Sequence, residues 1–276
     1  MHTNSLRAAK HIHDSDAMLI TAGAGMGVDS GLPDFRGNEG FWKAYPLIAK
    51  RGISFYQMAN PEWFHDDPEL AWAFYGHRLT LYREIMPLKG FYQILEKAME
   101  KKNGYFVFTS NVDGQFQKAG YPDQQIVECH GSIHHFQCCK PCSDKIWPAD
   151  EIQIRVNLDN FSAEKPLPMC PNCGSLARPN ILMFGDWGWI SHRMNNQNKR
   201  LGRWLEKLKF NQSKLVIIEI GAGNAVPTVR HLSENVAAQL SASLIRINPR
   251  DFDVPAGHLA VPENAAEGIK QIWENF

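Results

Sequence analysis

The chain lacks the two features that mark membrane and secreted proteins. No apolar run approaches the ~20 residues that a membrane-spanning helix needs. Residues 1–16 are polar and rich in histidine, and they lack the apolar core of a signal peptide. These absences predict a cytoplasmic location and no membrane partner.

An excess of charge of one sign is also absent. The 276 residues carry 29 Lys and Arg against 29 Asp and Glu, so the formal net charge is zero. Without a Lys/Arg-rich stripe, this balance argues against direct nucleic-acid binding. The length suits one large domain, or a domain with a smaller module.

Cysteine is scarce over most of the chain. Of the six cysteines, five form two close groups: Cys138, Cys139 and Cys142, then Cys170 and Cys173. Because nothing else marks the chain as secreted, disulfides or a set of buried free thiols are the less favoured interpretation. Two thiolates from each group could complete a tetrahedral zinc shell. Such a shell has no open position, so the metal would be structural.

The two cysteine groups differ in how clearly they indicate zinc. In Cys170-Pro171-Asn172-Cys173-Gly174, the glycine lets the turn fold back and present both sulfurs. In the first group, Cys138-x-x-x-Cys142 and Cys139-x-x-Cys142 both fall within usable zinc spacing. Spacing alone therefore leaves Cys138 and Cys139 as alternatives for one ligand.

Short apolar runs rich in β-branched and aromatic residues predict five strands. They are Ala17–Thr21, Tyr105–Thr109, Gln125–Glu128, Leu215–Ile220 and Ser243–Ile247. Several are almost continuously apolar, as strands buried on both faces of a parallel sheet are. Helical patterns lie between them, including Gly90–Lys101 and Val226–Leu240. The alternation predicts an α/β fold with a doubly wound, Rossmann-like parallel sheet.

Two segments interrupt this alternation. Residues 41–88 have the pattern of aromatic-rich helices without a strand, and residues 138–178 contain the cysteine groups. We therefore predict a Rossmann-like domain of residues 1–40, 89–137 and 179–276, a helical insert of residues 41–88, and a zinc-binding module of residues 138–178.

Candidate ligand-binding motifs follow the predicted strands. The first strand leads into Gly23-Ala24-Gly25-Met26-Gly27, a turn that either lets the backbone approach a pyrophosphate or only packs tightly. The next motif, Leu32-Pro33-Asp34-Phe35-Arg36-Gly37, brings together a carboxylate, an aromatic ring and a guanidinium. Two more motifs lie at the carboxyl edge of the sheet, where α/β folds bind ligands. They are Thr109-Ser110-Asn111-Val112-Asp113 and Glu128-Cys129-His130-Gly131-Ser132.

Taken in order, these motifs resemble those of the sirtuins, the NAD-dependent protein-lysine deacylases. The resemblance continues through Pro179-Asn180-Ile181-Leu182-Met183-Phe184-Gly185-Asp186, Gly221-Ala222-Gly223 and Ile247-Asn248, so it spans nearly the whole chain. It implies NAD and one structural Zn²⁺ as cofactors, and an acylated-lysine protein or peptide as substrate. The implied products are free lysine, nicotinamide and an O-acyl-ADP-ribose.

The resemblance implies a role for each matched residue. His130 would be the general base and Asn111 would assist at the nicotinamide ribose. The residues expected at NAD are Gly23, Ala24, Gly25, Met26, Asp34, Phe35, Arg36, Ser110, Asn111, Asp113, Gly221, Ala222, Gly223, Asn224 and Asn248. The usual family spacing from the catalytic histidine favours Cys138 over Cys139, which gives Cys138, Cys142, Cys170 and Cys173 as zinc ligands.

The resemblance also implies how substrate binds. The peptide would lie between the sheet domain and the zinc module and pair with residues 180–184 as an added strand. The residues expected to contact it are Ile181, Leu182, Met183, Phe184 and Gly185. Tyr75 and Arg78, three residues apart on a helix, resemble the pair with which some sirtuins bind succinyl- or malonyl-lysine. Spacing alone instead favours a core Tyr75 and a surface Arg78. We expect deacetylation together with some desuccinylation or demalonylation.

Two departures from the family pattern leave alternatives open. Gly221-Ala222-Gly223 lacks the two hydroxyls of the usual Gly-Thr-Ser, and this loss would weaken NAD binding unless Asn224 substitutes for them. Two indoles, Trp187 and Trp189, follow Asp186 at the edge of the expected peptide groove. The same pocket would also suit an ADP-ribosyltransferase or an NAD glycohydrolase. A zinc-ribbon binding module without catalysis is the non-enzyme alternative.

Overall fold

The larger sheet consists of six parallel strands. The computed structural model describes residues 2–33 and 38–276. The strands are β1 (Ala17–Ala22), β2 (Tyr105–Thr109), β3 (Ile126–Glu128), β9 (Leu215–Ile220), β10 (Ser243–Ile247) and β11 (Leu259–Val261). Their order is β11-β10-β9-β1-β2-β3, and every neighbouring pair is parallel. Of these six strands, only β11 was not predicted from the sequence.

Helices cover both faces of this sheet. Every residue of β1, β2 and β9 is buried, as their continuous apolar runs require. The helices on one face are α1 (His2–His13), α8 (Lys89–Met99) and α12 (Ala265–Trp273). Those on the other face are α10 (His192–Phe210) and α11 (Thr228–Leu240). The predicted doubly wound α/β fold is therefore confirmed.

A run of helices lies between β1 and α8. After the short α2 (Gly25–Val28), the helices are α3 (Asn38–Ala44), α4 (Pro46–Lys50), α5 (Phe55–Met58), α6 (Trp63–Asp66) and α7 (Pro68–Glu84). Their aromatic side chains form a separate buried cluster, in which Phe41, Tyr45 and Phe74 pack edge to face or tilted. Within the described part of this segment the structure contains no strand, as the sequence predicts.

A second, antiparallel sheet lies beside the aromatic cluster. Its strands are β4 (Gly131–Cys138), β5 (Ile146–Pro148) and β8 (Ala177–Ile181), in the order β5-β4-β8. A small hairpin of β6 (Val156–Asn157) and β7 (Ser162–Ala163) lies nearby in the chain, and α9 (Gln115–Lys118) follows β2. The predicted module boundaries fall inside β4 and β8, and the three-part division stays a prediction. In residues 2–33 and 38–276, no helix combines the length and apolar character needed to cross a bilayer.

Candidate active site and metal centre

Predicted site residues meet at one edge of the parallel sheet. Because parallel strands all end on the same side, the loops after β1, β2, β3, β9 and β10 lie together. Those loops contain Gly23, Asn111, His130, Gly221 and Asn248. The structure thus gathers at this edge residues that are more than 200 positions apart in the chain, and this group of loops is called the cleft below.

Two glycine turns form the floor of this cleft by direct contact. A Cβ at Gly23 would lie 2.7 Å from the Ala222 Cα, and Gly221 has a φ of +63° with a Cβ position only 2.5 Å from the Gly25 Cα. Both positions therefore require glycine. The N–H groups of Gly23, Gly25 and Met26 donate to backbone carbonyls, so they are already used within the protein. Ala24 is the exposed residue of this turn.

Asn111 presents an unsatisfied donor to the cleft. Its backbone N–H donates to the Thr109 hydroxyl at 3.0 Å, and that hydroxyl donates to the Ala22 carbonyl at 3.0 Å, which fixes the turn against β1. The side chain is only 8% exposed, and among the described residues its Nδ2 has no hydrogen-bond partner. A buried unpaired donor costs about 1–3 kcal/mol, so this amide is suited to an acceptor on a ligand.

Asp113 lies two residues further along the same loop. Burial raises the pKa of its carboxyl to about 6, and this rise is opposed by the hydrogen bond from the Gln115 N–H and reinforced by the charge of Glu128. The Gln115 N–H lies 2.9 Å from Oδ1. The Asp113 carbonyl is also 2.9 Å from Nε2 of His134, so His134 has a structural partner.

His130 lies half-buried in the turn between β3 and β4. Burial lowers the pKa of its imidazole, and a hydrogen bond to the Ser110 carbonyl partly opposes that shift. The His130 carbonyl accepts the Leu182 N–H at 2.9 Å, so the turn is fixed to the end of β8. A lowered pKa keeps the ring neutral near neutral pH, which is the form that a general base needs.

The loops after β9 and β10 hold each other in place. Asn248 donates from Nδ2 to the Ala222 carbonyl at 2.8 Å, and its Oδ1 accepts two backbone N–H groups of its own loop. Asn224 donates from its backbone N–H and its side-chain amide to Asp251, at 3.1 and 2.9 Å. The Asn224 amide is thus bonded to Asp251, which does not support its replacing the missing hydroxyls. Sequence reasoning missed Asp251, because only the fold brings it to Asn224.

Some expected NAD contacts are not described by the structure. Asp34, Phe35 and Arg36 lie outside the described residues, so their predicted roles stay predictions. Gly223 lies in the loop after β9 beside Asp251, with 3.3 Å between its Cβ position and Oδ2 of that residue.

Four of the cysteines form a group with the dimensions of a zinc site. The Sγ atoms of Cys138, Cys142, Cys170 and Cys173 all lie within 4.8 Å of one another. The Cys138–Cys173 and Cys142–Cys170 separations are 3.6 and 3.7 Å. A tetrahedron with Zn–S bonds of about 2.3 Å has S···S edges of about 3.8 Å, whereas a disulfide needs about 2.05 Å. The donors therefore fit Zn²⁺ and are not disulfide-bonded.

The structure also separates the two candidates for the first ligand. Cys138 ends β4 and faces the other three sulfurs, whereas Cys139 packs against the aromatic cluster, where burial raises the pKa of its thiol to about 12. In the second group, Gly174 has a φ of +69° and its N–H donates to the Cys170 carbonyl at 2.9 Å. This glycine closes the turn as its position in the sequence predicts.

Arg78 is buried, in contrast to the surface position that spacing alone favours. It is 6% exposed, and its Nε and Nη2 donate to the Tyr82 hydroxyl at 3.0 and 2.8 Å. Its guanidinium carbon lies 5.1–5.7 Å from the rings of Phe74, Tyr75 and Tyr82. Tyr75 is in the core and stacks on Phe64. Sequence reasoning missed Tyr82, although the spacing of four residues from Arg78 is a helical contact.

The segment expected to pair with a peptide strand already uses several of its N–H groups. Ile181 pairs with Gly131 in the second sheet, in which β8 is an edge strand. The N–H groups of Leu182 and Phe184 donate to the carbonyls of His130 and Ala59, each at 2.9 Å. The Met183 N–H donates to Asp186 at 3.4 Å. These three N–H groups thus have partners within the chain, and the predicted pairing with a peptide strand stays a prediction. Gly185 follows in an exposed, positive-φ turn.

Comparison with known proteins agrees with this arrangement. Residues 23–203 match the Sir2 family. NAD-dependent protein deacylase 2 of Pyrobaculum aerophilum is 35% identical over 271 residues, which cover 98% of this chain and 94% of that protein. An NAD-dependent protein deacylase of Thermus thermophilus is 29% identical over 95% of this chain and 91% of its own length.

Solved structures give the same result for the fold. A crystal structure of a Sir2 homolog–NAD complex superposes with a TM-score of 0.68 and 25% identity, over 98% of this chain and 93% of that chain. The predicted resemblance is confirmed: the chain belongs to the Sir2 family.

Proposed function

We propose that this chain is an NAD-dependent protein-lysine deacylase. The observation that carries the proposal is the cleft at the sheet edge, where Asn111, Asp113 and His130 meet the two glycine turns. Relatives that align over nearly the whole chain are named as deacylases of this type. Catalytic and cofactor-binding roles for individual residues are part of the proposal.

The residues present fit NAD. The close approach of Gly23 and Gly221 holds the turns after β1 and β9 together, and a pyrophosphate would lie against these turns beside the exposed Ala24. The unpaired Nδ2 of Asn111 matches the acceptor oxygens of a ribose or a carboxamide. When bound, NAD would supply an ADP-ribose group that accepts the acyl group from lysine as nicotinamide leaves, with one water consumed to release the free lysine.

His130 is the proposed general base of the reaction. In the neutral imidazole one ring nitrogen keeps its lone pair and can accept a proton. Burial lowers its pKa, which keeps this form populated at neutral pH. Base catalysis of this kind typically contributes about 10²–10⁴ in rate.

Zinc has a structural role in this proposal. Four thiolates leave no open coordination position for substrate or water. Cys138 ends β4, and Cys170 precedes β8, so the metal would join the far ends of the two strands. Their near ends at Gly131 and Ile181 adjoin His130. Zinc would thereby hold the strand pair that positions the catalytic turn.

Arg78 supports activity on acidic acyl groups as well as on acetyl-lysine. A guanidinium can meet a carboxylate through two parallel N–H bonds, and here a substrate carboxylate would share the Nε and Nη2 donors with the Tyr82 hydroxyl. Desuccinylation or demalonylation is therefore proposed together with deacetylation.

Incubation with NAD and an acetyl-lysine peptide, followed by mass spectrometry, tests this function against its alternatives. We expect unmodified lysine peptide together with O-acetyl-ADP-ribose. An ADP-ribosylated peptide would indicate a transferase, and free ADP-ribose with unchanged peptide would indicate a glycohydrolase. If NAD stays intact, the chain acts as a binding module. A cytoplasmic location and the lack of direct nucleic-acid binding stay predictions from composition.

A further inference from the structure

A second group of polar side chains lines an open cavity between α10, β5 and the residues just before β3. The volume of this cavity is about 490 Å³. Neighbouring residues of β4 serve the two regions, because Nε2 of His134 lies 2.9 Å from the Asp113 carbonyl in the cleft, whereas His135 lines the cavity. The side chains around the cavity thus come from other segments than the loops of the cleft.

Two nitrogen atoms of the residues that line the cavity are buried without a partner. They are Nδ1 of His135 and Nη1 of Arg193, and neither has a hydrogen-bond partner among the parts of the chain that the structure describes. A guanidinium nitrogen can only donate, and Nδ1 donates in one neutral tautomer and in the imidazolium. Because buried donors are rarely left unpaired, the two together point to an acceptor that is not part of this chain.

Arg193 is held in place by Glu128, the last residue of β3. Its Nη2 lies 2.5 Å from Oε2 of Glu128, and the two side chains are 18% and 1% exposed. Gln197, one turn further along α10, accepts the Glu128 N–H at 3.0 Å. Within the described ranges, Oε1 of Glu128 is also buried without a partner, so the ion pair is not fully satisfied by the protein. The guanidinium is therefore fixed through Nη2, and Nη1 is left for another acceptor.

The charges around the cavity favour an anion as that acceptor. Arg200 donates from Nε and Nη2 to the backbone carbonyls of Gln124 and Asp123, at 3.0 and 3.1 Å, and these neutral partners leave its charge in place. The Asp123 side chain also lines the cavity, but this residue is exposed and its carboxylate can turn to water. In a chain without net charge, α10 carries six Lys and Arg against a single Glu. The helix therefore adds a positive potential to this side of the cavity.

We propose that this cavity binds a phosphate group, to which Arg193 and His135 donate hydrogen bonds. Arginine suits phosphate because its planar group offers several N–H donors at once. A phosphate has at least three strong acceptor oxygens, so a single group can satisfy both unpaired nitrogens. The cavity has room for more than one such group, so free phosphate and the phosphate of a small phosphorylated molecule are both possible sources. The site does not depend on the proposed deacylase activity.

Calorimetric titration with inorganic phosphate at constant ionic strength tests the proposal. His135→Phe keeps a ring but removes Nδ1, so it should weaken binding by about 2–10-fold. The double variant Glu128→Gln/Arg193→Gln removes the ion pair without leaving a buried charge behind, and it should weaken binding by about 10-fold or more. Glu128→Gln alone should tighten binding, because Arg193 then lacks a counter-charge within the protein. Lys199→Gln, which removes an exposed cation of the same helix, is the control and should bind phosphate as the wild type does.

A second titration compares glucose 6-phosphate with glucose. Tighter binding of glucose 6-phosphate than of inorganic phosphate, with no binding of glucose, would identify a phosphorylated small molecule as the ligand. Equal or weaker binding of glucose 6-phosphate would identify free phosphate. Both results support a phosphate site, and thermal denaturation shows whether each variant is folded.

Three results would overturn the inference. The first is a wild-type chain that does not bind phosphate. The second is equal phosphate binding by the wild type, His135→Phe and the double variant, which would place the phosphate elsewhere, for example in the cleft. The third is equal weakening by Lys199→Gln and the double variant, which would show that binding reflects only the overall charge of α10. Because binding is measured without peptide or turnover, a chain that binds phosphate as expected but does not deacylate would contradict the deacylase proposal alone.

Discussion

The four-cysteine group and the cleft at the sheet edge are prepared for their ligands in different ways. The four sulfurs come from two short sequence groups and already lie at zinc-like separations. The cleft instead gathers residues from five loops. Within residues 2–33 and 38–276 it leaves Nδ2 of Asn111 without a hydrogen-bond partner, and the Asp113 carboxyl has a raised pKa. A local pattern is therefore enough to indicate the metal and three of its four ligands, whereas the cleft depends on the whole fold.

The largest effect should come from the metal site, because zinc binding and folding are coupled. Cys170→Ser should release zinc and unfold the region around β4 and β8, since structural zinc can contribute about 10–16 kcal/mol in small zinc-binding peptides. Metal analysis and thermal denaturation measure both effects. Cys139→Ser is the matched control and should keep one zinc per chain.

A chain that loses its zinc but keeps its stability and activity would contradict the structural role. Zinc loss from Cys139→Ser but not from Cys138→Ser would reverse the assignment of the first ligand.

At the cleft, His130→Ala should reduce deacylation by about 10²–10⁴ while NAD binding and zinc content are kept. His231→Ala, an exposed histidine on α11, is the control and should behave as wild type. In the wild type, the rate should fall as the pH drops through the His130 pKa, which burial places below its ordinary value of 6.5. A mutant with wild-type turnover would refute the base assignment.

Asp113→Asn should stabilise the ligand-free chain at neutral pH. Because the folded-state pKa is raised from 3.8 to about 6, the contribution of the carboxyl to stability is present at low pH and is lost as the pH rises through about 6. The full shift corresponds to about 3 kcal/mol. Asparagine keeps an acceptor for the Gln115 N–H, so the gain in thermal stability should be larger at pH 8 than at pH 5. Equal gains at both pH values would show that the buried charge is not the cause.

The smallest effect concerns acyl choice. Arg78→Met should reduce activity on succinyl-lysine by about 10–150-fold, as expected for a charge-assisted contact of about 1.5–3 kcal/mol, while acetyl-lysine activity is largely kept. Tyr82→Phe removes the neighbouring hydroxyl but keeps the ring, so it should cause a smaller loss. Equal losses on both acyl groups would make Arg78 a structural residue of the aromatic cluster.

The sheet could be predicted from sequence because its strands are buried on both faces and are therefore continuously apolar. Strand β4 could not be predicted from sequence, because it contains the polar residues His134 and Gln137, whose hydrogen-bond partners lie in distant loops. The burial of Arg78 was missed for a similar reason, since the aromatic rings around it are supplied by tertiary packing as well as by its own helix.

The residues of the cleft were predicted largely through family resemblance. Composition and spacing predict a glycine turn after β1. They do not show that Gly221 packs against this turn, or that the N–H groups of the turn donate to backbone carbonyls. Likewise, Asn224 and Asp251 become partners only when β9 and β10 bring their loops together. Such contacts depend on the strand order, which no local pattern contains.

The most direct test of the deacylase proposal is the stoichiometry of nicotinamide release, measured with purified chain, NAD and acetyl-lysine peptide. We expect one nicotinamide released for each lysine deacetylated, with little release when the peptide is omitted. Nicotinamide release at the same rate without peptide, or deacetylation without NAD consumption, would contradict the proposal.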